Sequence, residues 1–424
     1  MSGVEARGEQ LRIPLGERPR NLPALVQGAA RRWPTHEAFR WRQGADGGTP
    51  SPGDWSRWSY AELWEHVRAV SLGLRGLGVT EGDRVVILSR SRPEWVVADL
   101  AVLALGAASC PIQPSEPPAR IAAQLHHLAP RLVIVENDHL LHRLRRGTGD
   151  RAIPPVVGID PLAEGGGAEQ TLGTLGTAGA AAGGAADWEA TVTAFEPTRL
   201  ATIVHTMAED GEPRGAMLTH GNVVHSALAA GQAIPIGPAD VILSVLPLSH
   251  MFERGANVLG SLAAGSTVVF ADHAMERWGF DMAEVRPTVM CCVPLFFDQL
   301  QRQIRRQVAS QPAFARGLFG WALRIGSRCE ARRDAGRAIP VALRLLGGLA
   351  DRAVLSRVRA RLGGRLRFFV SGGAPLRAET GRFLGSLGIP LLEGYGLTET
   401  APLLTVNRLG SQRYGSVGMP VAET

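Results

Sequence analysis

Four short segments of the 424-residue chain hold residues whose types and spacing could do chemistry. The first spans residues 200–222, LATIVHTMAEDGEPRGAMLTHGN. Residues 200–205 are an apolar, β-branched run that predicts a buried strand. Thr206, Gly211, Pro213 and Gly215 break the run, and Thr219 precedes a helical stretch from Val223. A strand, a Gly-containing loop with one basic residue (Arg214) and a helix can cradle phosphate. Glu209 and Asp210, in the middle of that loop, carry the wrong charge for the role. The second segment, LPLSHMFER over 246–254, presents His250 where a strand ends at Pro247. The third, SGGAPL over 371–376, is a Gly-rich turn after a strand and contains Gly373, Ala374 and Pro375. The fourth, EGYGLTET over 393–400, contains Gly394, Tyr395, Gly396, Thr398 and Glu399. Each begins where a predicted strand ends. Ligands of open α/β sheets bind beyond the carboxyl ends of the strands, so the four are expected to meet in one crevice.

The elements that must position them read as alternating strands and helices. Ser59 and Glu62 form a capping box for a helix with Leu63, Val67, Val70, Leu74 and Leu77 on one face, ended by Gly78. Residues 85–88 are a strand, and Ser91 with Glu94 reads as a second capping box. A helix from Pro118 precedes a strand over 132–135. Further strands are expected at 241–246, 267–270, 288–293, 366–370 and 391–393, with mostly helical, Arg-rich chain over 294–361. This βαβ alternation predicts an α/β fold with mostly parallel sheets. Residues 164–187 are almost all Gly, Ala and Thr and read as a surface loop or linker. The expected organisation is therefore an opening segment 1–58, a first α/β portion 59–163, the loop 164–187 and a second α/β portion 188–424.

Composition narrows the function classes. No apolar run is long enough to span a bilayer, and the polar, acid-bearing N-terminus resembles no secretory signal. Cys110, Cys291, Cys292 and Cys329 lack metal-ligand spacing, and Cys291 and Cys292 lie in an apolar, core-like run. A reduced, cytoplasmic chain is expected. All 45 basic residues are arginine, so no step can use an ε-ammonium group. The pI of 9.8 comes without the basic–aromatic pattern of nucleic-acid sites, and no nucleic-acid partner is expected.

Taken together, YAELWEHVRAVSLGLRGLGVTEGDRVVIL, RPEWVVADLAVLALGA, EPRGAMLTHGN, LPLSHMFER, RPTVMCCVP, GGRLRFFVSGGAPL and EGYGLTET resemble the AMP-forming, adenylate-forming synthetases. Within them the chain resembles the long-chain fatty acyl-CoA synthetases. The resemblance implies two stacked α/β subdomains, followed in the family by a β-barrel subdomain and a small C-terminal domain. It implies a two-step reaction. A fatty-acid carboxylate attacks the α-phosphate of ATP, giving acyl-AMP and pyrophosphate. The thiol of coenzyme A then takes the acyl group and releases AMP. By the same resemblance Tyr395 stacks on adenine, and Gly373, Ala374 and Pro375 line the base pocket, beside Gly394 and Gly396. Thr398 bonds the α-phosphate, and Glu399 holds Mg²⁺. Thr206, Gly211, Arg214 and Gly215 form the phosphate loop, and His250 stands at the acyl-carboxylate end. Family members that work at membranes imply a peripheral contact for the Arg-rich stretch 302–337, at the inner face of the membrane; a solvated helix face is the alternative reading.

Two departures temper the implied activity. The family loop reads approximately TSGTTGxPKG, whereas residues 206–215 read TMAEDGEPRG. Hydroxyl and glycine positions have become Met, Ala, Glu and Asp, and carboxylates are acceptors only. Each like-charge contact with a phosphate at about 4 Å costs roughly 4 kcal/mol at an effective dielectric of about 20. In addition, GSVGMPVAET matches the point where family members enter the β-barrel. A chain lacking the barrel and the C-terminal domain would need that domain from another chain. The expectation is thus a ligase-type protein with impaired ATP turnover; the alternatives are a non-catalytic nucleotide- and acyl-binding paralogue or a truncated gene product. Acyl-chain length and oligomeric state stay open.

Overall fold

The computed structural model describes residues 18–42, 54–163, 170–207, 213–271 and 277–422. In chain order its strands are β1 (Glu37–Arg42), β2 (Trp55–Ser59), β3 (Arg84–Leu88), β4 (Ala108–Ile112), β5 (Leu132–Val135), β6 (Val156–Gly158), β7 (Leu200–Met207) and β8 (Pro213–Thr219). They continue as β9 (Val241–Ser244), β10 (Thr267–Phe270), β11 (Val289–Cys292), β12 (Phe368–Ser371), β13 (Leu391–Gly396), β14 (Leu403–Val406) and β15 (Met419–Pro420). A six-stranded sheet has the order β6-β5-β3-β4-β7-β8, and a nine-stranded sheet has the order β15-β14-β13-β12-β11-β9-β10-β1-β2. Pairing is parallel through the middle of both; antiparallel pairs occur only toward the edges, at β1–β2, β7–β8, β13–β14 and β14–β15. The central strands are short apolar runs buried along their length, as sheets covered by helices on both faces require. Among the described residues no barrel closes; β14 and β15 extend the nine-stranded sheet.

The local signals that set helix starts are borne out at Ser59. Glu62 N–H donates to Ser59 Oγ at 3.2 Å, and Ser59 N–H donates to Glu62 Oε2 at 2.7 Å. Gly78 takes φ +79° just beyond the helix Tyr60–Gly76. The second expected capping box does not form. The helix Pro93–Leu103 starts with a proline and has no side-chain cap, and Ser91 is engaged elsewhere. Its Oγ donates to Leu246 O and accepts from Leu248 N–H, both at 2.9 Å, which ties β3's exit loop to the other sheet.

Two larger expectations are corrected. Within the stretch 164–187 expected to be a loop lies the helix Leu172–Ala181, and a second helix, Ala185–Ala194, starts at its end and runs past it. Their small residues permit very close packing on the helix Tyr60–Gly76: a Cβ at Gly179 would lie 2.0 Å from Ala69 O, and one at Gly73 would lie 2.3 Å from Leu175 O. Trp188 pins the pair, its indole N–H donating to the buried Ser71 hydroxyl at 2.9 Å. The sheets also do not divide at this tract. β1 pairs with β10, bringing the opening segment into the nine-stranded sheet, while β7 and β8 join the six-stranded one. All four cysteines are buried and free.

Candidate functional site

The parallel order β13-β12-β11-β9 places the carboxyl ends of these strands along one edge. The LPLSH turn leaves β9, the SGGAPL turn leaves β12, and the EGYG residues belong to β13 itself. The expected strand 391–393 is longer than its apolar run, because β14 pairs antiparallel with Gly394, Tyr395 and Gly396 and holds them extended. Gly396 admits no side chain, since a Cβ there would sit 1.7 Å from Pro402 O. Tyr395 projects from this ribbon 46% exposed, an aromatic face open to a ligand. Thr398 and Glu399 follow in a single 3₁₀ turn, Thr398–Thr400, with Thr398 half-buried and Glu399 exposed.

The SGGAPL turn is fixed from two sides. Gly373 adopts φ +82°, and it, Ala374 and Pro375 are exposed. Leu376 N–H donates to Glu393 Oε1 at 3.1 Å, tying the turn to β13. Burial raises the pKa of Glu393, against the opposing bonds from Leu376 and Gly415. The ring of Phe252 covers Gly372 so closely that a Cβ there would meet it at 3.2 Å.

The first segment differs from its expected layout. Between its loop and its helix lies a strand: β7 and β8 form an antiparallel hairpin in which Thr206 pairs with Arg214 and His205 with Gly215. Pro213 and Gly215 look like loop punctuation in the sequence, but β8 completes the sheet edge. The helix His220–Ala233 then begins at Thr219, whose hydroxyl accepts from Asn222 N–H at 3.2 Å. β8 packs against the Thr398–Thr400 turn, so the hairpin of one sheet meets the β13 exit of the other. Gly211, Glu209, Asp210 and Glu212 lie outside the described residues.

His250 is exposed on the LPLSH turn. Loss of hydration within the surrounding crevice lowers its pKa, and the charge of Glu116 opposes the shift. Ser249 Oγ is hydrogen-bonded to Gln113 Oε1, so this turn too touches the six-stranded sheet. A cavity of about 610 Å³ opens there between the sheets, lined in part by Arg90, Gln113, His139, Arg143 and Leu246. A second cavity, of about 770 Å³, is mostly apolar and is lined by Trp278, Met282, Phe296, Leu300 and Ile304 beneath one face of the nine-stranded sheet.

A divalent cation at Glu399 fits the donors present. Mg²⁺ takes one or two carboxylates and fills its shell with substrate phosphates and water. Glu399 is an exposed carboxylate with no ion-pair partner among the described residues. No group of three or more His, Cys, Asp or Glu side chains among those residues could hold a metal alone.

Two residues of LPLSHMFER not singled out as candidates turn out to be buried and charged or chargeable. Glu253 accepts from Ser244 Oγ and from Asn257 Nδ2, its second oxygen has no partner, and burial raises its pKa to about 7. Arg254 forms a two-pronged ion pair with Asp99, at 2.9 and 2.6 Å. The available signal was an acid and a base side by side at the start of the otherwise apolar run GANVLGSLAAG.

A family profile described as AMP-binding enzyme matches residues 26–424. The chain is 31% identical over 371 residues to the long-chain-fatty-acid–CoA ligase FadD15 of Mycobacterium bovis, covering 87% of this chain and 60% of that protein. It is 28% identical over 397 residues to the peroxisomal long chain acyl-CoA synthetase 7 of Arabidopsis thaliana, covering 87% and 51%. The chain thus spans between half and two thirds of the length of these curated relatives. Among solved structures, a long-chain-fatty-acid-CoA ligase (FadD1) from Archaeoglobus fulgidus superposes with a TM-score of 0.69 at 17% identity, covering 97% of this chain and 70% of that one. The chain belongs to the AMP-binding enzyme family, and the relatives it resembles within that family are long-chain fatty acid–CoA ligases.

Proposed function

We propose that this chain carries the adenylation half-sites of a long-chain fatty acid–CoA ligase: fatty acid, ATP and coenzyme A are its substrates, and acyl-CoA, AMP and pyrophosphate are the products. The observation that carries the reading is the meeting of the β7–β8 hairpin with the turn after β13, on the same edge as the β9 and β12 turns. The first step joins two anions, so the protein must mainly position and neutralise them. In this reading Tyr395 stacks on adenine between Gly394 and Gly396, and Gly373, Ala374 and Pro375 line the base pocket. Thr398, Thr206, Arg214, Gly211 and Gly215 face the phosphates. His250 meets the acyl carboxylate, and the apolar cavity behind Phe296 and Leu300 takes the alkyl chain. Mg²⁺ held by Glu399 supplies charge neutralisation.

The acids at 209 and 210 weaken ATP turnover more than binding of an acyl-adenylate mimic, which carries fewer negative charges than ATP. The test is pyrophosphate exchange with palmitate, ATP and Mg²⁺, by this chain alone and with the C-terminal domain of a relative added. Slow exchange is expected, rising when Glu209 and Asp210 are replaced by Thr. Absence of exchange in every arm sinks the ligase reading. Calorimetric binding of an acyl-sulfamoyl adenosine in that case supports the non-catalytic binding protein instead.

Peripheral membrane contact belongs to the same proposal. Residues 302–361 carry fourteen arginines against three acids, a net +11 in a chain whose total is +6, so the remainder is net −5. Within that stretch the helix Val341–Ala350 exposes Val341, Leu345 and Leu349 at 71%, 72% and 57%. An exposed apolar stripe within an arginine-rich stretch suits an anionic lipid surface. No helix among the described residues is long and apolar enough to cross a membrane. Co-sedimentation with phosphatidylglycerol vesicles, lost on Leu345→Glu, is the expected result; equal binding by that variant removes this part of the proposal.

A further inference from the structure

We propose that Arg254 is a positioning residue. Its guanidinium sets the spacing between the phosphate half-site on the six-stranded sheet and the acyl and adenine half-site on the nine-stranded sheet. The proposal rests on the adenylation reading given above.

The argument starts from where one side chain reaches. Arg254 lies in a π-helical turn, Phe252–Leu259, after the LPLSH turn, and its backbone N–H donates to His250 O at 3.0 Å. Its Nε and Nη2 donate to the two carboxylate oxygens of Asp99, on the helix Pro93–Leu103. Its Nη1 donates to Thr202 Oγ1 at 2.7 Å, and that hydroxyl donates in turn to Ser109 O on β4 at 2.6 Å. Thr202 sits on β7, four residues before Thr206. Thus one residue connects the His250 turn to the strand that becomes the phosphate hairpin. The side chains of Arg254 and Asp99 are 2% and 1% exposed, and the guanidinium also faces the indole of Trp95 at 5.7 Å.

Stability alone does not call for this device. Well-packed apolar residues can replace a buried ion pair at little or no cost. An apolar seam, however, resists sliding less than a planar fork with fixed donor directions. The proposed reaction is sensitive to sliding, because a misplacement of about 1 Å can cost about a hundredfold in rate. Lysine could hold the charge of Asp99 but not both carboxylate oxygens and Thr202 at once.

The test uses the full chain and three ligands: adenosine and palmitate, which reach only the half-site on the nine-stranded sheet, and a palmitoyl-sulfamoyl adenosine, whose linker also reaches the phosphate half-site on the six-stranded sheet. Thr202→Val keeps the side-chain shape and the Arg254–Asp99 pair while cutting the tie to β7. Positioning predicts that adenosine and palmitate bind Thr202→Val as they bind the wild type, while the joined ligand weakens about tenfold or more because its linker no longer meets the phosphate half-site in register with the rest. Thr202→Ser, which keeps the hydroxyl, restores it. Equal weakening of all three ligands, or an unchanged joined ligand, overturns the proposal. Should the wild type bind none of the three, the adenylation reading fails separately, and amide hydrogen exchange then decides. Faster exchange in Thr202→Val at both 213–219 and 246–250 supports the tie between the sheets; an increase confined to one of them overturns it.

Discussion

The molecule contains two kinds of seam, and they are built oppositely. Between the helices Tyr60–Gly76 and Leu172–Ala181 the contact is made by small residues, with backbone approaching backbone where no Cβ intervenes. Between the two sheets an apolar core that runs from one to the other is crossed by buried polar contacts. Arg254 reaches Asp99 and Thr202, and Ser91 bridges Leu246 and Leu248; next to Arg254, Glu253 sits fully buried and bonded to Ser244 and Asn257 within the nine-stranded half. The first seam gains dispersion and loses little when helices slide slightly. The second fixes geometry at the cost of desolvating charge. The polar seam is the one that borders the candidate site, which is where fixed geometry has chemical value.

The largest effect expected from breaking this contrast is at Asp99. Asp99→Ala strands the Arg254 guanidinium in a site that is nearly dry, and an unpaired buried charge costs roughly 3–5 kcal/mol. Denaturant unfolding measures it. A loss under about 1 kcal/mol would mean that water reaches the guanidinium and that this seam is not buried in solution.

Glu253, next to Arg254 on the same π-helical turn, tests the burial of this region through pH. Its folded pKa, raised to about 7 by burial, lies above the ordinary carboxylate value of 4.5. Between those two values the folded state binds more protons than the unfolded one. Stability from this group is therefore full below about pH 4.5 and declines as pH rises to about 7, then stays level. The drop is on the order of 3 kcal/mol. Glu253→Gln is uncharged at every pH, so it should be more stable than the wild type at pH 8 and lose that advantage at pH 5. Parallel pH profiles for the two proteins would show that Glu253 is not shielded from water.

Much of the fold was legible in the sequence because its signals are local. The capping box at Ser59, the apolar runs of β3 and β5, and the helix after Thr219 each follow from a few neighbouring residues. What was not legible depends on partners far along the chain. β1 pairs with a strand more than two hundred residues away, and nothing in EAFRWR names that partner. PRGAMLT reads as a loop until β7 is placed beside it. Ser91 loses its expected cap to carbonyl and amide groups that arrive from 246–248. At the site, His250, Tyr395, Thr398 and Glu399 were legible as a motif set, and the structure supplies their supports: Phe252 over Gly372, Glu393 under Leu376, β14 beside Tyr395. Arg254 stayed hidden because its meaning lies in contacts with Asp99 and Thr202, which stand in separate segments of the chain and carry no signal that the three meet.

The smallest effect, and the one that separates a seam from a linker, comes from adding single methyl groups to the Gly/Ala tract. A Cβ at Gly179 would approach Ala69 O to 2.0 Å and Gly73 N to 2.6 Å, backbone atoms that cannot rotate away. Gly179→Ala must therefore push two helices apart, an overpacking cost of roughly 1–3 kcal/mol. At Gly176, three residues earlier in the same helix, the nearest atom would be Val70 Cγ2 at 3.6 Å, an ordinary contact. Gly176→Ala there removes backbone freedom from the unfolded chain without a clash and should stabilise by roughly 0.5–1 kcal/mol. A mobile linker would respond to neither change, and a loosely packed helix would be stabilised by both. Opposite signs from the same one-methyl substitution on one short helix are the signature of close backbone packing, and equal signs in thermal or denaturant melts would return the tract to the reading its composition first invites.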